Sequence, residues 1–356
     1  MFLSFKAKYT IDKYFKQQKL LLNYNQLLNM LSDRFSVSAE QFRLKQFLER
    51  PFSFLLNVAI GPERHHSYFV KLYKVENIEK QQKNIEKEFA ISRFWFDKFG
   101  NHSPFRVIEP VWMDSQHLVI TTRKSPGVNL LKLTNQLGFF PNHNLVKKHL
   151  DILSNAGAWL KKFQSFSTEE KVPFLEDPVN LDLNFLQQYL VIRMEKMVKN
   201  PHLNFDQNWQ KSILDYLMHL WQQTDEQSKQ LSFAHTDFSL SNVLVSQRNI
   251  TVLDFGKCEI NFRFKDLARF YHQLYLLNLK PSFRTELVRQ MQYAFLQGYG
   301  DAQADLKPLF KIFFLIHQVT HLGKISRFWE RGAVENIYNR FLVKKVLKDL
   351  RTTVLQ

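Results

Sequence analysis

The chain has a single cysteine, Cys258, among 356 residues. One thiol excludes an intrachain disulfide and any zinc site built from several cysteines, and it suits a reducing compartment. Long apolar runs are missing as well. The opening MFLSFKAKYTIDKYFKQQ scatters its apolar residues among lysines, and no stretch approaches the length that spans a bilayer. Neither a membrane span nor a secretory leader is expected, and the sequence reads as cytoplasmic. There is no internal repeat or low-complexity tract, which excludes solenoid and array architectures.

Concentrated charge is also absent, although the net charge is +16. Residues 1–129 carry 20 Lys plus Arg against 12 acids, and residues 130–356 carry 29 against 21. An excess spread equally over both parts, without a basic tail, describes a generally basic surface and not a nucleic-acid stripe. Nucleic acid is not expected as a partner. Five lysines from Lys6 to Lys19 accompany a helical pattern over residues 9–32, in which Tyr14, Leu20, Leu21, Tyr24, Leu27, Leu28 and Leu31 recur at three- and four-residue steps. Such a start could rest peripherally on an anionic membrane at its inner face; packing against the body of the protein is the reading favoured.

With 45% hydrophobic and 23% charged residues the chain can bury a core, and its length suits two lobes. The 34 phenylalanines are read as packing material. From residue 42 the runs RLKQFLE, SFLLNVAI and HSYFVKLY alternate with turn residues and predict antiparallel strands. A helix is predicted over Asn77–Phe99, then the strands FRVIEPVWM and HLVITTR. After Ser125, Pro126 and Gly127 almost everything reads as helix: 144–165, 181–199, 207–229, 264–278, 283–298, 306–322 and 334–351, interrupted by a short strand pair, VLVSQ and ITVLDF. The expected fold class is α+β, with a helical extension over 1–40, a small β-rich lobe over 41–124 and a large helical lobe over 125–356.

The chemistry is concentrated in HTDFSLSNVLV (residues 235–245) and ITVLDFGK (250–257). His235, Asp237 and Asn242 have the spacing HxDxxxxN, and Asp254 opens a DFG twelve residues after Asn242. Phosphoryl transfer from ATP needs Mg2+ on the phosphates, a carboxylate at the attacking hydroxyl and a cation on the non-transferred phosphates. Asn242 and Asp254 offer the hard oxygens that magnesium takes. Asp237 would accept the hydroxyl proton or orient the hydroxyl, and His235 would brace the loop. For the cation, Lys71 sits inside the apolar run SYFVKLYK, where an ammonium needs a reason to be. Glu88 on the following helix would hold it, with Glu86 as the alternative because the helix phase is open. His317 and His321 lie four apart in HQVTH, but Gln318 stands where a zinc protease needs its glutamate, so a metal is not expected there.

These motifs resemble the aminoglycoside phosphotransferase and choline kinase family, small-molecule kinases with a bilobal protein-kinase-like fold. The resemblance covers roughly residues 40–300 and is most specific over His235–Gly256 and FKDLARFYHQL. It implies that Asp266 braces the catalytic loop and that backbone groups at Thr121, Thr122, Arg123 and Lys124 hold adenine. The chain departs from the family where Thr236 replaces a usual glycine, where Gln164 replaces a frequent histidine, and in the loop ERPFS, which has no glycine to cradle phosphates. Against protein kinases, only nine residues separate Gly256 from Asp266, which leaves little room for a peptide-binding activation segment.

The basic helical part argues against a polycationic aminoglycoside acceptor. A small molecule with a sugar-like hydroxyl, such as a cell-envelope saccharide precursor, is expected, with an amino alcohol such as choline as the nearest alternative. A non-catalytic kinase-like scaffold is the competing reading.

Overall fold

The computed structural model describes all residues except 1–4, 62–65, 101–103, 139, 140, 177, 179, 201, 202, 326–332 and 356. The chain begins with α1 (Phe5–Lys16), α2 (Tyr24–Phe35), β1 (Phe42–Glu49), β2 (Ser53–Ile60), β3 (His66–Tyr73) and α3 (Ile78–Phe99). It continues with β4 (Phe105–Val107), β5 (Pro110–Asp114), β6 (Val119–Arg123), β7 (Val128–Asn129), α4 (Leu130–Asn135) and α5 (His143–Gln164). Then follow α6 (Leu183–Val198), α7 (Gln207–Gln222), β8 (Leu231–Ala234), β9 (Val243–Ser246) and β10 (Asn249–Val252). The last elements are β11 (Glu259–Phe262), α8 (Phe264–Tyr275), α9 (Thr285–Tyr299), α10 (Pro308–Ile325) and α11 (Ala333–Leu355). This α+β chain divides into two compact units. The first holds Met1–Gly127, Val172–Leu175 and Leu244–Lys257; the second holds Val128–Lys171, Glu176–Val243 and Cys258–Gln356.

In the first unit an antiparallel sheet has the order β1-β2-β3-β6-β5. Side chains alternate across a strand, and β3 obeys this closely. Tyr68, Val70 and Leu72 are buried in one cluster with Ala7 and Ile11 of α1, Leu27 and Leu31 of α2, and Phe54 and Leu56 of β2. The intervening Lys71 and Tyr73 therefore face the other side, where Ile85 of α3 packs with Leu118 and Ile120. The α3 helix is capped by Asn77, whose side chain accepts the Lys80 N–H, and its buried stripe runs Ile85, Ile91, Ser92, Trp95, Phe99. Glu88 falls on that stripe, three residues after Ile85 and three before Ile91; Glu86 falls off it.

The elements β7, α4 and β11 were not expected, and three expected elements take another form. The single helix read over residues 9–32 is two, because Gln18 takes a left-handed φ of 56° and Asn23 begins a new helix with a reciprocal capping box to Gln26. The run FRVIEPVWM is also two elements in different sheets. β4 pairs in parallel with β10, Val107 opposite Val252, whereas β5 pairs antiparallel with β6 and its register slips between Pro110 and Trp112, where proline offers no ladder N–H. The helix read over 207–229 stops at Gln222, and Leu231–Ala234 forms the strand β8.

In the second unit α10 is buried on nearly every side, through Leu309, Phe310, Ile312, Phe313, Leu315, Ile316, Val319 and Leu322; a helix apolar all round sits at the centre of its unit. Helices α5 and α9 approach so closely that a Cβ on Gly298 would lie 1.9 Å from Ser154 O and one on Gly157 2.1 Å from Phe295 O. Both crossing points require glycine. The short strand β8 pairs antiparallel with β11, Ala234 opposite Glu259. Beyond it Phe238 stacks on Trp159 at 5.4 Å and on Phe270 at 5.1 Å, and Phe270 stacks on Phe295 at 4.3 Å. Each such buried ring contributes about 1.5–3 kcal/mol. Several phenylalanines are thus core, and one of them, Phe238, is the residue next to Asp237.

Candidate active site

The segment His235–Asn242 leaves β8 and is held from below by α8. Asp266, in the first turn of α8 and fully buried, accepts the His235 N–H at 2.5 Å and the Thr236 N–H at 2.8 Å. Burial raises its carboxyl above the usual range, while His235 and its N–H pull the other way. Thr236 has φ 60°, a left-handed conformation that costs an L-residue about 1–2 kcal/mol; this explains why glycine suits the position, and Asp266 secures the strained amide. The Asp237 N–H donates to His235 Nδ1 at 3.3 Å, so His235 braces the loop from inside the core. Asn242 Nδ2 donates to the Asp237 carbonyl at 2.9 Å. The Asp237 carboxylate itself accepts a short hydrogen bond from Arg269 Nη2, both side chains being about a quarter exposed, at 24% and 23%.

In the first unit Lys71 Nζ lies 3.1 Å from Glu88 Oε1. Tyr73, on the same face of β3, donates its hydroxyl to Glu88 Oε2. Burial alone would lower the Lys71 ammonium, but Glu88 and then Asp254 outweigh it and hold it above the ordinary lysine range. Burial, and after it the charge of Glu88, raises the Tyr73 phenol. Asp254 has φ 68°, and a Cβ on Gly256, two residues on, would lie 3.2 Å from Glu88 Oε2. Lys71, Glu88 and the DFG segment thus meet in one place. Arg50, in the glycine-free turn between β1 and β2, is near enough for its charge to oppose that of Lys71.

Thr121, Thr122 and Arg123 end β6, and Lys124 follows. Thr121 is fully buried. The Arg123 N–H donates to Glu109 O and the Lys124 N–H to Ser67 O, so these two amides are engaged within the sheet. Gln164, at the end of α5, donates to Arg263 O and accepts from the Tyr299 hydroxyl, which ties α5 to the start of α8 and to α9. His317 Nε2 lies 3.2 Å from Lys265 O, and its ring is 6.0 Å from that of His272. Among the described residues no group of three or more His, Cys, Asp or Glu could hold a metal ion, and no helix is long and apolar enough to cross a membrane.

The sequence profile of the phosphotransferase enzyme family matches residues 47–309. The chain belongs to that family. Compared by sequence with curated proteins, this phosphotransferase matches none. Solved structures resemble it over nearly their full length. A Plasmodium vivax ethanolamine kinase is 12% identical with a TM-score of 0.59, the match covering 99% of this chain and 97% of that one. An amicoumacin kinase in complex with AMP-PNP, Ca2+ and Ami is 14% identical, TM-score 0.58, covering 95% and 96%. A choline kinase from Cryptosporidium parvum is 16% identical, TM-score 0.57, covering 92% and 96%. At such identities the likeness establishes the fold, the protein-kinase-like fold of the small-molecule kinases.

Two residues of this phosphotransferase escaped the sequence reading. Arg269 stands in FKDLARFYHQL three residues after Asp266, so a helix beginning at Phe264 puts both on one face; that periodicity was the available signal. Arg50 had none, since nothing in ERPFS points toward Lys71.

Proposed function

We propose that the protein transfers the γ-phosphoryl group of ATP to a hydroxyl of a small sugar-like molecule. The observation that carries this is the Lys71–Glu88 pair with Asp254 beside it, because an ammonium inside a sheet, braced by one carboxylate and faced by another, answers no packing need. In this reading Lys71, helped by Arg50, holds the non-transferred phosphates, and adenine lies along Thr121, Thr122, Arg123 and Lys124. Asp237 receives the acceptor hydroxyl, with His235 and Asp266 keeping its loop in place. As the bond from γ-phosphorus to the ADP oxygen breaks, a bond to the acceptor oxygen forms, and the hydroxyl proton leaves through Asp237 or to water.

Asp254 and Asn242 would hold Mg2+. The donor set fits a hard cation: a carboxylate and an amide whose nitrogen is already committed to the Asp237 carbonyl, which leaves Oδ1 as its ligating atom. Bound magnesium would neutralise phosphate charge.

For the acceptor, the excess of 29 basic over 21 acidic residues in 130–356 disfavours polycations and favours a neutral or anionic saccharide, such as a cell-envelope precursor. An amino alcohol is the second reading, favoured by the likeness to choline and ethanolamine kinases. The test is Mg-dependent ADP release from ATP against sugars, sugar phosphates, amino alcohols and aminoglycosides. Turnover with a saccharide alone supports the first reading and turnover with choline or ethanolamine the second. Failure to bind Mg-ATP at millimolar concentration would make the protein a non-catalytic scaffold.

A peripheral position on an anionic membrane belongs to the same proposal. Phe5 and Tyr9 on α1 are 85% and 62% exposed, Lys6, Lys13 and Lys16 are exposed beside them, and Asp12 accepts the Tyr24 N–H. Sedimentation with phosphatidylserine vesicles, weakened by Lys13→Glu with Lys16→Glu and absent with phosphatidylcholine, is the expected result. Equal behaviour with both lipids would remove the membrane from the proposal.

A further inference from the structure

The face of α8 that carries Asp266 continues one turn later with Arg269 and another turn later with His272. Asp266 grips the backbone of His235 and Thr236; Arg269 grips the side chain of the next residue, Asp237. One helix therefore controls consecutive residues of the loop, backbone first and carboxylate second. A carboxylate on a loop rotates freely about its last bond unless something holds it. A guanidinium, always charged and planar, holds it in a chosen plane at a fixed distance.

We infer that Arg269 is a positioning residue for phosphoryl transfer: it sets the orientation of the Asp237 carboxylate toward the acceptor hydroxyl. This rests on the reading of Asp237 given above. It also bears on the two roles open to Asp237, since a carboxylate committed to a guanidinium serves better to orient a hydroxyl than to compete for its proton. Phosphoryl transfer tolerates this, because its loose transition state asks for alignment more than for a strong base.

The surroundings of Arg269 support a fixed and not a mobile role. Its Nε is buried and makes no hydrogen bond, and its Nη2 donates to the Asp237 carboxylate. The groups that feel its charge are Asp237, Asp266, His272 and His317. The two histidines are pushed by burial to the neutral form, His317 to about 3 and His272 well below its usual value, so at neutral pH they add no cation to compete for Asp237. Asp266 is already occupied by two backbone N–H groups. Among the described residues Asp237 is thus the carboxylate that the guanidinium serves.

The test is a double-mutant cycle on kcat for ADP release from Mg-ATP, with the accepting compound of the panel or, failing one, water. Arg269→Ala and Arg269→Gln are expected to lower kcat about 10²-fold, the scale of a misplaced reacting group, with KM for ATP changed less than about twofold. Arg269→Lys, which keeps the charge and one donor, should recover most of the loss. In an Asp237→Ala background Arg269→Ala should cost nothing further, because its effect passes through that carboxylate. A full 10²-fold loss in both backgrounds, or a kcat for Arg269→Gln within twofold of the parent, would overturn the inference. If Arg269→Ala unfolds, Arg269→Gln and Arg269→Lys carry the comparison. Should Asp237→Ala itself leave turnover intact, the reading of Asp237 fails, and the inference falls with it; Asp237→Ala inactive with Arg269→Gln normal defeats the inference alone.

Discussion

Asp237→Asn is expected to lower kcat by about 10³-fold or more while Mg-ATP still binds with nearly unchanged affinity. The substitution keeps the shape of the side chain and removes its charge. The loop that carries it is held independently, by Asp266 on the preceding amides and by Phe238 wedged between Trp159 and Phe270. Loss of function would therefore report on the carboxylate and not on a collapsed loop. Positioned acid–base groups contribute about 10²–10⁴-fold, and alignment of the hydroxyl adds to that. A fall in kcat and kcat/KM together, with unchanged nucleotide affinity, marks an interaction made only in the transition state. A kcat within tenfold of the parent would move the reacting hydroxyl away from Asp237, and a lost affinity for ATP would assign the residue to nucleotide binding.

Between pH 7.5 and pH 5.5 the protein is expected to lose about 4 kcal/mol of stability. Burial depresses His149 to about 4 and His317 to about 3, and lowers His272 well below 6.5. In the unfolded chain each takes a proton near pH 6.5; in the folded protein each refuses it. The unfolded state thus binds more protons below pH 6.5, and stability, complete above that pH, is lost as pH falls toward the folded values. One unit below the unfolded pKa each histidine costs about 1.4 kcal/mol, and three together about 4, with His321, lowered to about 4, adding to the loss. Asp266 works in the opposite sense because burial raises its carboxyl, one group against four. Against a total of about 5–15 kcal/mol the loss is large. Urea midpoints at the two pH values measure it. A stability flat across this window would show that these histidines are hydrated, and His317→Asn should reduce the slope by about one proton.

Much of the fold was legible because it is written in short-range periodicity. The alternation of SYFVKLYK sends Lys71 to the face opposite Val70 and Leu72, and the three- and four-residue steps of α3 carry Glu88 along the buried stripe. The HxDxxxxN and DFG spacings mark their segments by themselves. Less legible were places where a local signal competes with a longer pattern. The capping box at Asn23 divides an otherwise continuous helical pattern, and Pro110 divides what reads as one strand into two that join different sheets.

The sequence by itself determined which residues alternate, which share a helix face and which chemical groups the chain owns, since these follow from the repeat of a strand or helix over a few residues. Only the tertiary structure decided which distant groups meet. Arg269 reaches Asp237 across 32 residues of chain, the charge of Arg50 in the β1–β2 turn bears on Lys71 of β3, and His272 gathers with His317 and His321 from another helix. Such pairings depend on how helices and strands pack against one another, and packing is the sum of many weak contacts that no single stretch of sequence contains.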